Sequence, residues 1–187
     1  MPSTPNSPLL TTPLDTIVHL GAGPCTELDD HLASGASTIW LVEADPRVGN
    51  ALTARARAHE QVYLHPLAVA NASGEATLHR YNLPEANSLS PATGLQSLFP
   101  GLRLLEQLTV PAVAYAELLQ PLNLQPDAGD HLLVIELPGQ ELQALQALQQ
   151  AGQLPAFKHI LFHCGREPLH ADSAPAETVL RWLKEQG

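Results

Sequence analysis

Apolar runs and amphipathic segments alternate along the chain from residue 16 onward. Between the apolar runs lie segments with the apolar spacing of helices, such as CTELDDHLASG and PRVGNALTARARAHE. The runs are continuously apolar rather than alternating, which is typical of strands buried on both faces. They are TIVHLGA, TIWLVEA, QVYLHPLAVA, HLLVIEL and KHILFHCG. This order predicts an α/β fold in which a mostly parallel sheet has helices on both faces.

Three other segments have patterns of their own. ASGEATLHRYN has a Ser-Gly turn followed by alternation with a period of two, which predicts an added strand or one arm of a hairpin. Residues 83–106 are the least regular part and are too long for a simple connection, so we expect a lid or a binding loop. The apolar stripe of QELQALQALQQAG predicts a core helix.

The first 13 residues differ in composition from the rest of the chain. They contain four prolines together with Ser, Thr and Asn, which predicts a flexible leader, with residues 14–187 as one domain. The leader lacks the basic end and the apolar stretch of a signal peptide, and no run of 18 apolar residues follows it. We therefore expect a cytoplasmic protein that does not insert into a membrane.

The charge balance narrows the range of partners. Nineteen acidic and nine basic residues give a net charge of −10, and the basic residues are scattered, so we expect no nucleic-acid partner. The two cysteines, Cys25 and Cys164, follow the first and the fifth predicted strands. That placement keeps them beyond disulfide reach, so both are predicted to be free.

Candidate binding residues follow the strands of the predicted sheet. In an open parallel sheet, ligands bind beyond the carboxyl ends of the strands. Glycines in a turn there let a ligand approach the backbone, and a carboxylate after the second strand can bind ribose hydroxyls. Glu43 lies 22 residues beyond Gly21, close to the roughly 20 expected of such a pair. The predicted cofactor-binding residues are Gly21, Ala22, Gly23, Glu43, Ala70 and Asn71.

Each of these signals has a plainer alternative. Gly21–Gly23 could be an ordinary turn, and Glu43 could be a solvated carboxylate at a strand end. Within this loop, Pro24 and Cys25 stand where small residues are usual, and we expect them to narrow the site.

Histidine is a common metal ligand, and the chain has nine. Only His159 and His163 are close in sequence, and on a strand their separation puts them about 13 Å apart, too far for one ion. We therefore predict no metal site.

Several motifs in order resemble those of the FkbM-type methyltransferases. That family uses S-adenosylmethionine on the Rossmann-like class I methyltransferase fold, and the resemblance runs from Thr16 to Gly187. The motifs are IVHLGAG, VEADP, AVANASGEATLH, NSLS, LTVPAVAYAELL and LLVIELPGQELQALQAL.

The chain departs from the family at polar positions. His19 stands where the family usually has Asp, Cys25 where it has a further Gly, and Ala114–Ala116 where it has Thr-Leu-Asp. Its Lys-Ile-Asp-Val-Glu-Gly signature is replaced by Val134–Gly139. Of the groups near the reaction centre, Glu136 and His163 are the candidate catalytic bases. Glu136 could instead cap the next helix or face solvent, and His163 could be a structural histidine at a strand end.

The resemblance implies an S-adenosylmethionine-dependent enzyme that methylates a hydroxyl of a sugar or small metabolite. The alternative is a degenerate methyltransferase that serves as a binding or assembly module. A nicotinamide-dependent oxidoreductase uses similar residues, but the turn lacks the third glycine of that fingerprint.

The end of the sequence adds one expectation. The methyltransferase fold normally continues into two more strands, which are missing after the last predicted helix. The fifth strand would then be an exposed edge. Either a homodimer covers this edge, or the sequence is a fragment of a longer protein.

Overall fold

The computed structural model describes residues 13–186, so the predicted leader, residues 1–13, lies almost wholly outside the described residues. Strands and helices alternate through most of the described range, as predicted. The strands are β1 (Thr16–Leu20), β2 (Thr38–Val42), β3 (Val62–His65), β4 (Ala68–Ala70), β5 (Gly74–Tyr81), β6 (Leu104–Ala114), β7 (His131–Ile135) and β8 (His159–Phe162). The α-helices are α1 (Leu28–Ala33), α2 (Pro46–Ala56), α3 (Leu95–Leu98), α4 (Tyr115–Leu118), α5 (Glu141–Gln150) and α6 (Ala176–Gln186).

Five strands form a parallel sheet in the order β3-β2-β1-β7-β8. The central strand β1 pairs in register with β2 and β7, so that Thr16 lies beside Thr38 on one side and His131 on the other. All five residues of β1 and of β7 are buried. This burial explains why these strands read as unbroken apolar runs.

Helices cover both faces of this sheet, which confirms the predicted fold class. On one face, Leu133 packs with Leu145 and Leu148 of α5 and with Val179 of α6. On the other face, the core joins strand residues to α1 and α2. Its members include Ile17, Leu28, Ile39, Leu52 and Val134.

A second sheet has the order β4-β6-β5, with β4 parallel and β5 antiparallel to β6. The strand predicted in ASGEATLHRYN is β5, which confirms that prediction. The prediction of one strand across QVYLHPLAVA was wrong, because β3 and β4 belong to different sheets. The break falls at Pro66, which has no backbone N–H, and Leu67 N–H donates to the His65 carbonyl in a tight turn.

A buried ion pair links the two sheets. Asp45 follows β2 and caps α2 by accepting a hydrogen bond from Arg47 N–H at 2.9 Å. Its other oxygen accepts from Arg80 Nε of β5 at 2.7 Å. Arg80 also contacts Glu106 of β6, so charges from both sheets meet.

The edges of the five-stranded sheet are β3 and β8. Leu161 of β8 is about half exposed. The predicted homodimer through this edge stays a prediction. Within residues 13–186, no helix combines the length and the apolar character needed to cross a membrane.

Candidate functional site

A cavity of about 850 Å³ lies at the carboxyl ends of the parallel strands. The loops after β1, β2, β7 and β8 all contribute to its wall, as does the irregular segment before β6. This is the place where ligands bind in open α/β sheets. Five of the predicted site residues line it: Gly21, Gly23, Glu43, Glu136 and His163.

The other predicted residues do not line the cavity. Ala22 is buried in the core on the side of α1 and α2. Ala70 is the last residue of β4 and Asn71 follows it, whereas the wall of the cavity is formed by the preceding residues, Leu67–Val69. Because Pro66 turns the chain out of the first sheet, this segment reaches the cavity a few residues earlier than the sequence suggested.

The two glycines of the loop after β1 differ in what a side chain at each position would contact. Both have a positive φ, +76° at Gly21 and +54° at Gly23. A Cβ on Gly21 would overlap the carbonyl oxygen of Glu136, so this glycine allows β1 and β7 to end close together. At Gly23 no atom lies within 4 Å of that position. Gly23 therefore leaves its backbone open to a ligand in the cavity.

Glu43 organises this loop from the end of β2. Its side chain accepts hydrogen bonds from Gly23 N–H at 2.7 Å and from Asp45 N–H at 2.6 Å. Burial raises the pKa of the Glu43 carboxyl, and the backbone N–H groups oppose that rise. Each carboxylate oxygen keeps a second lone pair, so Glu43 can still accept a hydrogen bond from a ligand.

Glu136 and His163 form a pair at the mouth of the cavity. Glu136 follows β7 and His163 follows β8, and because these strands are neighbours, His163 Nδ1 lies 2.7 Å from Glu136 Oε1. Partial burial acts to raise the pKa of the Glu136 carboxyl. The neighbouring imidazoles of His19 and His163 outweigh burial, so this pKa lies below its ordinary value. Glu136 is thus a carboxylate that orients a largely exposed imidazole.

The irregular segment predicted as a lid or a binding loop forms one wall of the cavity. Ser88 Oγ donates to the Pro138 carbonyl at 2.5 Å, which ties the segment to the loop after β7. Asn87 donates to Asp45 at 3.2 Å and accepts from Tyr81 N–H at 2.8 Å. These bonds hold the segment against the end of the parallel sheet.

Three further side chains meet beside the glycine loop, in a grouping that the sequence analysis missed. His19 of β1 and His31 of α1 approach to 3.2 Å between Nδ1 and Nε2. The third side chain, Cys25, is buried in the core and does not line the cavity. The expectation that Cys25 narrows the site was therefore wrong. Pro24 does line the cavity. The helical spacing of Leu28, His31 and Leu32 in the sequence places His31 on the apolar face of α1, and this was the available signal.

Burial sets the protonation of this grouping. It raises the pKa of the Cys25 thiol to about 12, with Glu27 adding to the effect. It lowers the pKa of His31 to about 4, with His19 acting in the same direction. At neutral pH the Cys25 thiol is therefore protonated and His31 is neutral. Cys25 and Cys164 are both free, as predicted.

The fold is similar to a solved methyltransferase structure. The match is to methyltransferase FkbM from Methylobacillus flagellatus KT, with a TM-score of 0.51 and 14% sequence identity. It covers 82% of this chain and 34% of that one, so the chain spans about a third of the length of the FkbM structure. No protein-family model and no curated protein matches the sequence. The chain therefore has a methyltransferase fold, which confirms the resemblance at the level of the fold.

Proposed function

We propose that the chain is an S-adenosylmethionine-dependent methyltransferase that acts on a hydroxyl group. The observation that carries this proposal is the single cavity that contains both an open glycine loop with its carboxylate and the Glu136–His163 pair. Its volume falls within the roughly 300–1,000 Å³ typical of small-molecule sites.

The residues of the loop fit the adenosine side of the cofactor. Gly23 leaves backbone open to the cavity, and Glu43 keeps free lone pairs that can accept hydrogen bonds from two ribose hydroxyls. Bound S-adenosylmethionine would supply an electrophilic methyl group on a positively charged sulfur. The negative charges of Glu43 and Glu136 favour a cationic ligand in this cavity.

His163 is the better placed of the two candidate bases. Its ring is exposed at the cavity mouth, with a side-chain exposure of 69%, whereas the Glu136 carboxylate is engaged by His163 and His19. An imidazole with Nδ1–H held by a carboxylate presents Nε2 as a proton acceptor. His163 Nε2 would take the acceptor's hydroxyl proton, and Glu136 would stabilise the imidazolium formed.

The acceptor would enter between the glycine loop and the wall formed by the irregular segment. That wall combines apolar side chains such as Leu83 and Leu95 with the polar groups of Asn87 and Ser88. An acceptor with an apolar face and several hydroxyls, such as a sugar or small metabolite, suits these neighbours.

One observation favours the second candidate, a degenerate module that binds no cofactor. Both oxygens of Glu43 already accept hydrogen bonds from the protein's own backbone. Glu43 would then serve only to hold the loop closed. The two proposals differ in whether a folded chain binds S-adenosylmethionine.

An assay of methyl transfer tests the proposed activity. It measures transfer from radiolabelled S-adenosylmethionine to a panel of sugars and small hydroxyl compounds. His163→Gln should reduce transfer by about 100-fold or more, within the range that general bases contribute, with unchanged cofactor affinity. His159→Gln at the other end of β8 is the matched control and should transfer at the wild-type rate. A folded chain that binds no S-adenosylmethionine would favour the degenerate module, whereas cofactor binding without transfer to any acceptor would contradict methyl transfer to this class of compound.

A further inference from the structure

His19, Cys25 and His31 converge in the interior beside the glycine loop. They come from β1, from the loop that follows it and from α1, and all three are buried. Each offers one atom able to ligate a metal, and these atoms lie within 4.8 Å of one another, the one such group in residues 13–186. None of the three is a candidate cofactor-binding residue or catalytic base.

We propose that His19, Cys25 and His31 form a binding site for a divalent transition-metal ion of the zinc class. The site is separate from the cofactor cavity, because none of the three side chains lines it. Metal binding can therefore be tested whether or not the chain binds S-adenosylmethionine.

The separation of the two imidazoles suits a shared ion. Zinc–nitrogen bonds of about 2.0–2.1 Å in a tetrahedron put neighbouring ligand atoms roughly 3.3 Å apart. His19 Nδ1 and His31 Nε2 are 3.2 Å apart. A hydrogen bond between the rings would also give this distance, but it would not explain why the Cys25 thiol lies beside them.

The other nitrogen of His19 faces a carboxylate. His19 Nε2 lies 3.5 Å from Glu136 Oε2, and in the described part of the chain it has no hydrogen-bond partner. Histidines that ligate metals usually direct their second nitrogen toward a carboxylate, which fixes the ring and strengthens the ligand. Glu136 is in the position of that outer partner.

The backbone of Cys25 is held in a conformation that disfavours a side chain. Its φ is +46°, in the left-handed region where glycine is the usual residue. Arg55 Nη1 donates to the carbonyls of Pro24 and Cys25 at 2.8 and 2.9 Å, and Cys25 N–H donates to Ala22. These bonds keep Cys25 in place, with its thiol directed inward to the two histidines.

The ligand types select the kind of ion. Two imidazole nitrogens and one thiolate form a borderline set that suits Zn²⁺, whereas Mg²⁺ and Ca²⁺ require oxygen ligands. A bound cation of this kind deprotonates its thiol ligand, which overcomes the effect of burial. A tetrahedral ion takes one ligand more than these three. The ion would join β1, the glycine loop and α1 into one unit.

Cobalt substitution tests the proposal directly. The full chain, freed of metal by a chelator and kept reduced, should bind one equivalent of Co²⁺. We expect a thiolate-to-cobalt charge-transfer band and the visible bands of tetrahedral cobalt. Zn²⁺ should displace the cobalt and raise the melting temperature, because it binds only the folded state.

Variants locate the ion. Cys25→Gly suits the left-handed backbone, so it should fold and lose the charge-transfer band, while Cys164→Ser should keep it. His31→Gln provides a second ligand variant in case Cys25→Gly does not fold, and it should lose the tetrahedral bands. Glu136→Gln should keep the band but bind Zn²⁺ about 10–100-fold more weakly.

Three results would overturn the proposal. The folded wild-type chain could fail to bind Co²⁺ or Zn²⁺ at one equivalent. Cys25→Gly could bind with the wild-type spectrum, or Cys164→Ser could lose the band. Each would mean that the three residues form only a buried polar cluster.

Discussion

The Glu43 side chain accepts a hydrogen bond from the Gly23 backbone at 2.7 Å, across the carboxyl ends of β1 and β2. This contact joins Glu43 to the glycine turn that the sequence pairs with it through the spacing of Gly21 and Glu43. It fixes the loop next to the cavity and holds the Glu43 carboxylate in the cavity wall, where we propose the contact to ribose.

Replacing Glu43 tests both of its roles. Glu43→Ala removes the acceptor of two backbone N–H groups, and we expect a loss of about 2–3 kcal/mol in the free energy of unfolding. If Glu43 binds the ribose, affinity for S-adenosylmethionine should fall by about 1–3 kcal/mol, roughly 5- to 150-fold. Urea unfolding and calorimetric titration measure the two effects.

Glu60→Ala is the control, because Glu60 is exposed and precedes β3 at the other end of the sheet. A folded Glu43→Ala variant with wild-type affinity would remove Glu43 from the binding site.

The glycines of the loop should respond differently to alanine. In Gly21→Ala the new methyl group would meet the Glu136 carbonyl, a backbone atom that cannot move aside without shifting the end of β7. Gly23→Ala meets nothing within 4 Å and incurs only the left-handed backbone cost of about 1–2 kcal/mol. Urea unfolding should therefore show a much larger loss for Gly21→Ala. Equal losses would contradict the close approach of β1 and β7.

The Asp45–Arg80 pair should contribute strongly to stability because it is buried. Arg80→Ala would leave the Asp45 carboxylate without its charged partner, at an expected cost of about 3–5 kcal/mol. Lys158→Ala breaks the exposed pair with Asp130 and should change stability little. Chemical denaturation of the two variants makes the comparison. Similar small losses would mean that the buried pair is screened by water.

His170 should make stability depend on pH. Burial lowers its pKa, and a hydrogen bond to the Ala86 carbonyl opposes that shift. The unfolded chain takes up a proton near pH 6.5, while the folded chain resists protonation until a lower pH. The unfolded state then binds more protons, so the free energy of unfolding falls as the pH drops through this range.

His170→Gln should reduce that fall, measured by denaturation at pH 7.5 and pH 5.5. Identical pH dependence in the variant and the wild type would show that His170 does not contribute.

The sequence predicted the parallel sheet well, for a physical reason. Strands covered on both faces must be continuously apolar, and this is the pattern of β1, β2 and β7. The prediction of a single strand over residues 61–70 was wrong, because apolar residues continue on both sides of Pro66 even though the backbone turns there. An apolar sequence predicts that a strand is buried, but it does not predict the sheet to which the strand belongs.

The site was predictable only where it depends on strand ends. Glu43, Glu136 and His163 could be placed because parallel strands bring their carboxyl ends to one edge. The 2.7 Å contact of Glu136 with His163 depends on β7 and β8 being neighbours. The approach of His19 to His31 depends on how α1 packs on β1, and spacing along one strand cannot show it.

The central claim is that the cavity binds S-adenosylmethionine. Calorimetric titration of the purified chain with S-adenosylmethionine and with its demethylated product tests this claim most directly. The account predicts one binding site with a dissociation constant of about 1–100 μM, or roughly −8 to −5 kcal/mol. Absence of binding to both compounds, in a chain shown by circular dichroism to be folded, would contradict it.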